Sequence, residues 1–431
     1  MFEWSSEHLA IRDAVRRFVQ ADVVPNIDAL EHGDMTPYAI VRKLFATFGM
    51  RELAQDRFQR ALQRRVTGDS IAEAPADGVP GAGVDPAGAI PGGGHSSGGG
   101  GGTAMSLIPV IELSRHCPGI VTAMGVSIGL AAGTIMQRGT TEQMQRWALD
   151  LLTFDKVGAW AITEPDSGSD ALGGMRTSAV ADGDEFVLNG SKTFITNGPH
   201  ADTIVMYAKL DSGDGTSIRD REVLTFVLDR GMTGLVQSKA LRKMGLHSSP
   251  TGEIFMTDVR VGRDRLLEHR QGGGGGTEQS GRDSAKANFV AERAGVAAMA
   301  LGVIEQCLEM SIEYAKSRLL WGKPIGEFQL VQLKLATMEI ARLNVQNLVF
   351  RHVEMEAAGR RLSLAEASAM KLYCAKVASE VAMEAVQLFG GNGYMSEFKV
   401  EQLARDAKVF QIYAGTDEIQ VTHIARDLLG R

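Results

Sequence analysis

The chain has 431 residues, 44% hydrophobic and 23% charged, enough apolar material for several cores and more than one domain. A net charge of -7 argues against nucleic acid as the main partner. Cys117, Cys307 and Cys374 show no CxxC spacing and the nine histidines no HxxxH pair, which fits core thiols in a reducing compartment and gives a metal site little support.

From the N-terminus, Met1-Phe2-Glu3-Trp4 runs directly into an amphipathic segment, Ser6 to Phe18. That leaves no room for a targeting peptide, so a cytoplasmic bacterial protein is expected. Residues 78–102 hold twelve glycines with Pro80, Pro86 and Pro91. Such composition cannot bury enough apolar surface to offset its ordering entropy, and a flexible insertion is predicted over about 66–104. Ile120 to Ile135 is apolar but broken by glycines and too short to span a bilayer, so it reads as a packed helix.

Two Gly- and hydroxyl-rich segments follow. The first, Trp160 to Asp170, brings Thr163, Ser167, Gly168 and Ser169; the second, Asn189 to Gly198, brings Gly190, Phe194 and Thr196. Hydroxyls that donate or accept, beside glycines that admit a close backbone approach, suit a polar ring edge or a phosphate. Between them, Ser178 to Asn189 reads as strand, Asp182-Gly183 turn, strand. An ordinary antiparallel sheet with Ser/Thr turns explains the same residues.

After a second glycine run, Gly272 to Gly276, a long helix is predicted. Phe289, Val296, Met299, Val303, Cys307, Met310 and Tyr314 recur at helical spacing on one face, and Glu292 sits on that face. A carboxylate there is costly unless it is paired, protonated or open to a ligand cavity. The alternative is a glutamate at the helix start that bends to solvent or pairs with Arg293 or Lys286. Further along, Arg318 to Gln329, Gln387 to Tyr394 and Arg405 to Glu418 each interrupt a helical pattern. Gly390-Gly391-Asn392-Gly393 lacks the strand context of a dinucleotide fingerprint, so NAD is not supported.

In order and spacing, the 160, 189, 318, 387 and 405 segments resemble the acyl-CoA dehydrogenase family of flavoproteins. The resemblance runs from Ser6 to Arg426, apart from the glycine-rich insertions. It implies an α+β fold: an N-terminal helical domain (1–157), a central β-barrel-like domain (158–270), a Gly-rich linker (271–283) and a C-terminal four-helix bundle (284–431). FAD is the implied cofactor, with Thr163, Ser169, Phe194 and Thr196 at the flavin. Arg318, Trp321 and Gln329 are implied at the pyrophosphate and adenine end, faced across a subunit interface by Gln387, Gly390 and Gly391. Thr416 and Glu418 complete the implied set, while Ser169, Arg293 and Tyr413 are expected at the substrate.

At Ala414 many family members carry the glutamate that removes the substrate α-proton. Isovaleryl-CoA and long-chain acyl-CoA dehydrogenases resemble this chain in having a small residue there and a Glu-Arg pair on an early bundle helix, here Glu292-Arg293. The resemblance therefore implies Glu292 as base, with the Ala414 backbone N–H aimed at the thioester oxygen. An acyl-CoA substrate, electron-transferring flavoprotein as acceptor and a homotetramer or homodimer are the implied partners. A flavin monooxygenase or oxidase, or a non-catalytic binding homologue, are the competing readings.

Overall fold

The computed structural model describes residues 2–67, 100–267 and 281–430; the glycine runs at 78–99 and 272–276 lie outside them. The N-terminal helices include α1 (Ser6–Phe18), α2 (Tyr38–Thr47), α3 (Met50–Thr67), α4 (Gly100–Ser114) and α5 (Pro118–Arg138). Seven strands follow: β1 (Gly158–Ala161), β2 (Ser178–Asp182), β3 (Glu185–Thr196), β4 (Thr203–Leu210), β5 (Val223–Asp229), β6 (Leu235–Gln237) and β7 (Thr251–Gly262). The C-terminal helices are α6 (Gly281–Ser317), α7 (Gln329–Ala357), α8 (Leu364–Phe389), α9 (Val400–Lys408) and α10 (Asp417–Leu428).

The strands make one curled sheet in the order β1-β4-β2-β3-β7-β6, with β5 on β4. β2 and β3 form the expected antiparallel hairpin, with Ser178 opposite Asn189 and Asp182 opposite Glu185. Gly183 turns the corner at φ 63°, a conformation that suits glycine. Inward residues of the sheet, among them Phe186, Leu188, Ile204, Phe226 and Val259, make its own core. A separate core joins the N-terminal helices to α6, α7 and α8.

Two expectations about segment ends need correcting. Gly100 to Ala104, assigned to the flexible insertion, are the first residues of α4, because the apolar run Met105 to Ile111 packs into the core and carries the helix back over them. Residues 281–283, assigned to the linker, open α6. Glu292 therefore lies well inside α6 rather than at its start.

Helices α4 and α6 meet at Gly302, where a Cβ would stand 2.2 Å from the Ile111 carbonyl oxygen. Only glycine permits that approach. By length and composition α5 and Asn288–Ser317 could cross a membrane, yet their apolar windows are 78% and 72% buried inside the protein, as core helices are.

Asn197 joins the helical and sheet layers. Fully buried, with φ 63°, it donates to Ala123 O (2.8 Å) and Gly158 O (2.9 Å) and accepts from the Tyr38 hydroxyl (3.1 Å). Replacing Asn197 by alanine strands those groups and keeps a left-handed backbone, so a loss of about 2–4 kcal/mol is expected. Thermal unfolding of the variant measures it; a change below about 0.5 kcal/mol contradicts this account.

Candidate active site

Helix α6 brings the first functional group. Val296, Met299, Val303 and Cys307 are buried on its inner face, and Phe289, Met310 and Tyr314 are partly buried beside them. Glu292 is half-buried on this helix, and its carboxylate makes no hydrogen bond among the described residues. Desolvation pushes its pKa up to about 7, against the opposing charges of Arg293 and Lys371. It does not bend away to solvent as a surface glutamate.

Facing it is the turn from Tyr413 to Gln420. Ala414 and Gly415 are both left-handed, at φ 54° and 88°. An alanine there is strained and persists only where its surroundings hold it. Arg293 Nε reaches Ala414 O at 3.3 Å, and Gln420 Nε2 donates to Ala414 O (2.9 Å) and Gly415 O (2.7 Å). Lys371 Nζ adds a bond of 2.8 Å to Gly415 O. With both carbonyls held from behind, the Ala414 N–H donates to no group among the described residues.

Arg293, expected at the substrate, is placed otherwise. It is 1% exposed, and its Nη1 bonds Ser368 Oγ (2.9 Å) and His423 Nδ1 (3.2 Å). Burial lowers its pKa to about 10, partly countered by Glu292. It braces the turn from behind and presents no surface to a ligand. Tyr413 stays half-buried beside Glu292, stacked on Phe410 with its hydroxyl toward Met299 Sδ (3.6 Å). Thr416 caps α10, its Oγ1 accepting from Ile419 N at 3.4 Å. Glu418 is exposed in the first turn, its pKa lowered by its own backbone N–H and by Thr416.

The sheet brings the second set. The Trp160 ring meets Phe289 at 6.3 Å, one turn before Glu292, which sets the 163 loop next to the turn of α6 that carries the carboxylate. Trp160 Nε1 is buried without a partner. Among the described residues the hydroxyls of Thr163, Ser169 and Thr196 bond no protein group, and Phe194 is 69% exposed at a left-handed φ of 57°. Ser167 is different: its Oγ donates to Asp170 O at 2.7 Å inside its own turn. Gly190 also serves packing, since a Cβ there would stand 2.7 Å from Thr177 Cα.

Beneath these loops lies an ion pair that the sequence reading did not find. Lys192, fully buried, donates to Glu164 Oε1 (2.8 Å) and Ile162 O (3.2 Å), while Glu164 accepts from Arg176 N (2.5 Å) and Thr177 N (2.9 Å). Burial opposes both charges and lowers Lys192 to about 8. For Glu164 the Lys192 charge and the backbone donors outweigh burial and hold its pKa below the ordinary carboxylate value. The Thr193 N–H to Thr163 O bond (2.9 Å) completes the lock between the two loops.

The third set lies at the other end of the bundle. Arg318, Trp321 and Gln329 are exposed, Trp321 at 83%, and so are Gln387, Gly390 and Gly391. Trp321, Phe328, Gln329, Leu330 and Leu388 line an open cleft of about 570 Å³. Arg318 lies 26 residues beyond Glu292, nearly all on one helix, which at 1.5 Å per residue separates the two by about 39 Å.

Helical, sheet and helical layers in this order are the scaffold of an oxidoreductase family in the comparisons with known proteins. Family models for the acyl-CoA dehydrogenase N-terminal, middle and C-terminal domains match residues 90–155, 159–259 and 279–429. The chain belongs to the acyl-CoA dehydrogenase family and is an enzyme of that class. A Bacillus subtilis acyl-CoA dehydrogenase is 32% identical over 99% of both chains. A short-chain specific acyl-CoA dehydrogenase of Megasphaera elsdenii is 35% identical over 76% of this chain and 82% of its own. The solved butyryl-CoA dehydrogenase from Megasphaera elsdenii superposes with a TM-score of 0.80 at 29% identity, covering 100% of both chains.

Proposed function

We propose that this protein is an FAD-dependent acyl-CoA dehydrogenase in which Glu292 removes the α-proton of the acyl thioester. The observation that carries the proposal is a half-buried, unbonded carboxylate facing a left-handed turn whose Ala414 N–H is free to donate. A pKa of about 7 matches a general base at neutral pH. The amide needs no side chain to polarise the carbonyl oxygen, so alanine suffices at 414.

The residues present fit FAD. The orphaned Trp160 Nε1, the free hydroxyls of Thr163, Ser169 and Thr196 and the exposed Phe194 ring suit the flavin end. Arg318, Trp321 and Gln329 suit the phosphates and adenine, a guanidinium being always charged and able to fork onto two oxygens. Bound there, FAD supplies the acceptor for the β-hydrogen as hydride. The about 39 Å between Glu292 and Arg318 exceeds the reach of one extended cofactor, which supports a homo-oligomer whose neighbouring subunit gives the second half of each site. Exposed Leu330, Leu333, Ile340 and Met383 offer such a neighbour an apolar face. Electron-transferring flavoprotein is the proposed acceptor.

Anaerobic bleaching of the bound flavin by short, branched, medium, long and steroid-side-chain acyl-CoAs tests the function. Bleaching by one class names the substrate; none by any class overturns the reading. Moving the base tests the geometry: Glu292→Ala loses turnover, and adding Ala414→Glu is expected to recover at least about tenfold. No recovery in a folded, flavin-bound double variant counts against the pocket.

A further inference from the structure

We infer that Lys371 on α8 is a positioning residue for the desaturation: it holds the Gly415 carbonyl, and so fixes the Ala414 amide where the thioester oxygen is received. This rests on the assignment of Glu292 and Ala414 proposed above. Lys371 has no exposed surface, and a core lysine is costly unless its ammonium is bonded. Its Nζ reaches Gly415 O at 2.8 Å and Asp417 Oδ1 at 3.4 Å, so one side chain bridges a carbonyl of the left-handed pair and the first residue of α10. One turn earlier on α8, Ser368 accepts from Arg293, which itself donates to Ala414 O. Three elements thus grip the turn from behind: α6 through Arg293, α8 through Lys371 and α10 through Gln420.

Gln420 alone already donates to both carbonyls, so hydrogen bonding does not explain why a cation is buried here. The charge has a second object. The charges of Arg293 on its own helix and Lys371 on α8 act on Glu292, whose charge acts in turn on Tyr413 of the turn; Asp417 and His423 of α10 bond those two cations. Lys371 is the cation that reaches the turn from a helix other than Glu292's own, and, after Arg293, it favours the ionised form in which Glu292 accepts a proton.

The test uses the flavin-loaded enzyme and Lys371→Met, a near-isosteric loss of charge. Infrared titration of the Glu292 carboxyl, identified by its disappearance in Glu292→Gln, is expected to show a midpoint about one pH unit higher in Lys371→Met. Bleaching by the acyl-CoA that reduces wild type is expected to slow by about 10- to 100-fold with Kd changed less than about threefold, as for a lost transition-state contact. Asp417→Asn, which frees the lysine charge, shifts the midpoint down and serves if Lys371→Met does not fold. Unchanged midpoints in both variants overturn the inference, as does a folded Lys371→Met with wild-type bleaching. Should no acyl-CoA bleach wild type, the dehydrogenase reading fails and the positioning role with it, while a shifted midpoint still shows that the Lys371 charge acts on Glu292; bleaching in wild type with unchanged midpoints overturns the inference alone.

Discussion

Glu292→Gln is expected to fold, bind FAD and bind acyl-CoA, and to turn over at least about 10³-fold more slowly than wild type, near the upper range for losing a general base. Glutamine keeps the shape and removes the proton acceptor. Wild-type activity should itself rise with pH through about 7, as the Glu292 carboxyl ionises. Stability moves the opposite way. In the folded protein Glu292 keeps its proton up to about pH 7, whereas an unfolded glutamate releases it near 4.5, so wild type loses stability as pH rises through that window. The amide variant escapes that loss and is expected to melt no lower than wild type at pH 8. Wild-type-like single-turnover flavin reduction by Glu292→Gln would sink the assignment.

The second large effect concerns stability. Lys192→Met leaves Glu164 buried and stripped of its cation, and breaking such a pair costs about 3–5 kcal/mol. Because the pair ties Ile162 and Thr163 to Lys192 and Thr193, loss of flavin affinity should accompany it. A second substitution, Glu164→Gln, removes the stranded charge and is expected to return part of the stability. Chemical denaturation of wild type and the two variants separates these outcomes. A Lys192→Met protein within about 1 kcal/mol of wild type would show that the pair is not held as buried charges.

The comparison of sequence with structure divides by range. The Asp182-Gly183 hairpin was legible because turn chemistry and β-formers act over a few residues. The apolar stripe of α6 was legible because helical spacing repeats every three or four residues, but from Arg293 to Leu308 the helix is buried on nearly every side, Ala297, Ala298 and Ile304 as deeply as Val303. The end of the glycine-rich insertion was misread, since glycines at 100–102 are poor helix formers and only the packing of the apolar run after them makes them helical.

By itself the sequence determined the succession of helical, strand and helical segments, and it placed a carboxylate, Glu292, among the apolar positions of a helix with Arg293 and Lys286 as the partners within its own segment. Only the tertiary structure decided what surrounds that carboxylate. No sequence pattern singles out Lys371, Gln420 or Lys192; each is fully buried because partners distant in the chain, or on separate elements, satisfy it. Arg293 reads as a substrate contact from its place beside Glu292, yet a helix turns successive residues about 100° apart, and this one faces Ala414 O, Ser368 and His423. Local pattern fixes which face of an element is buried; the partner of each buried polar group depends on contacts between elements, and no periodicity encodes them.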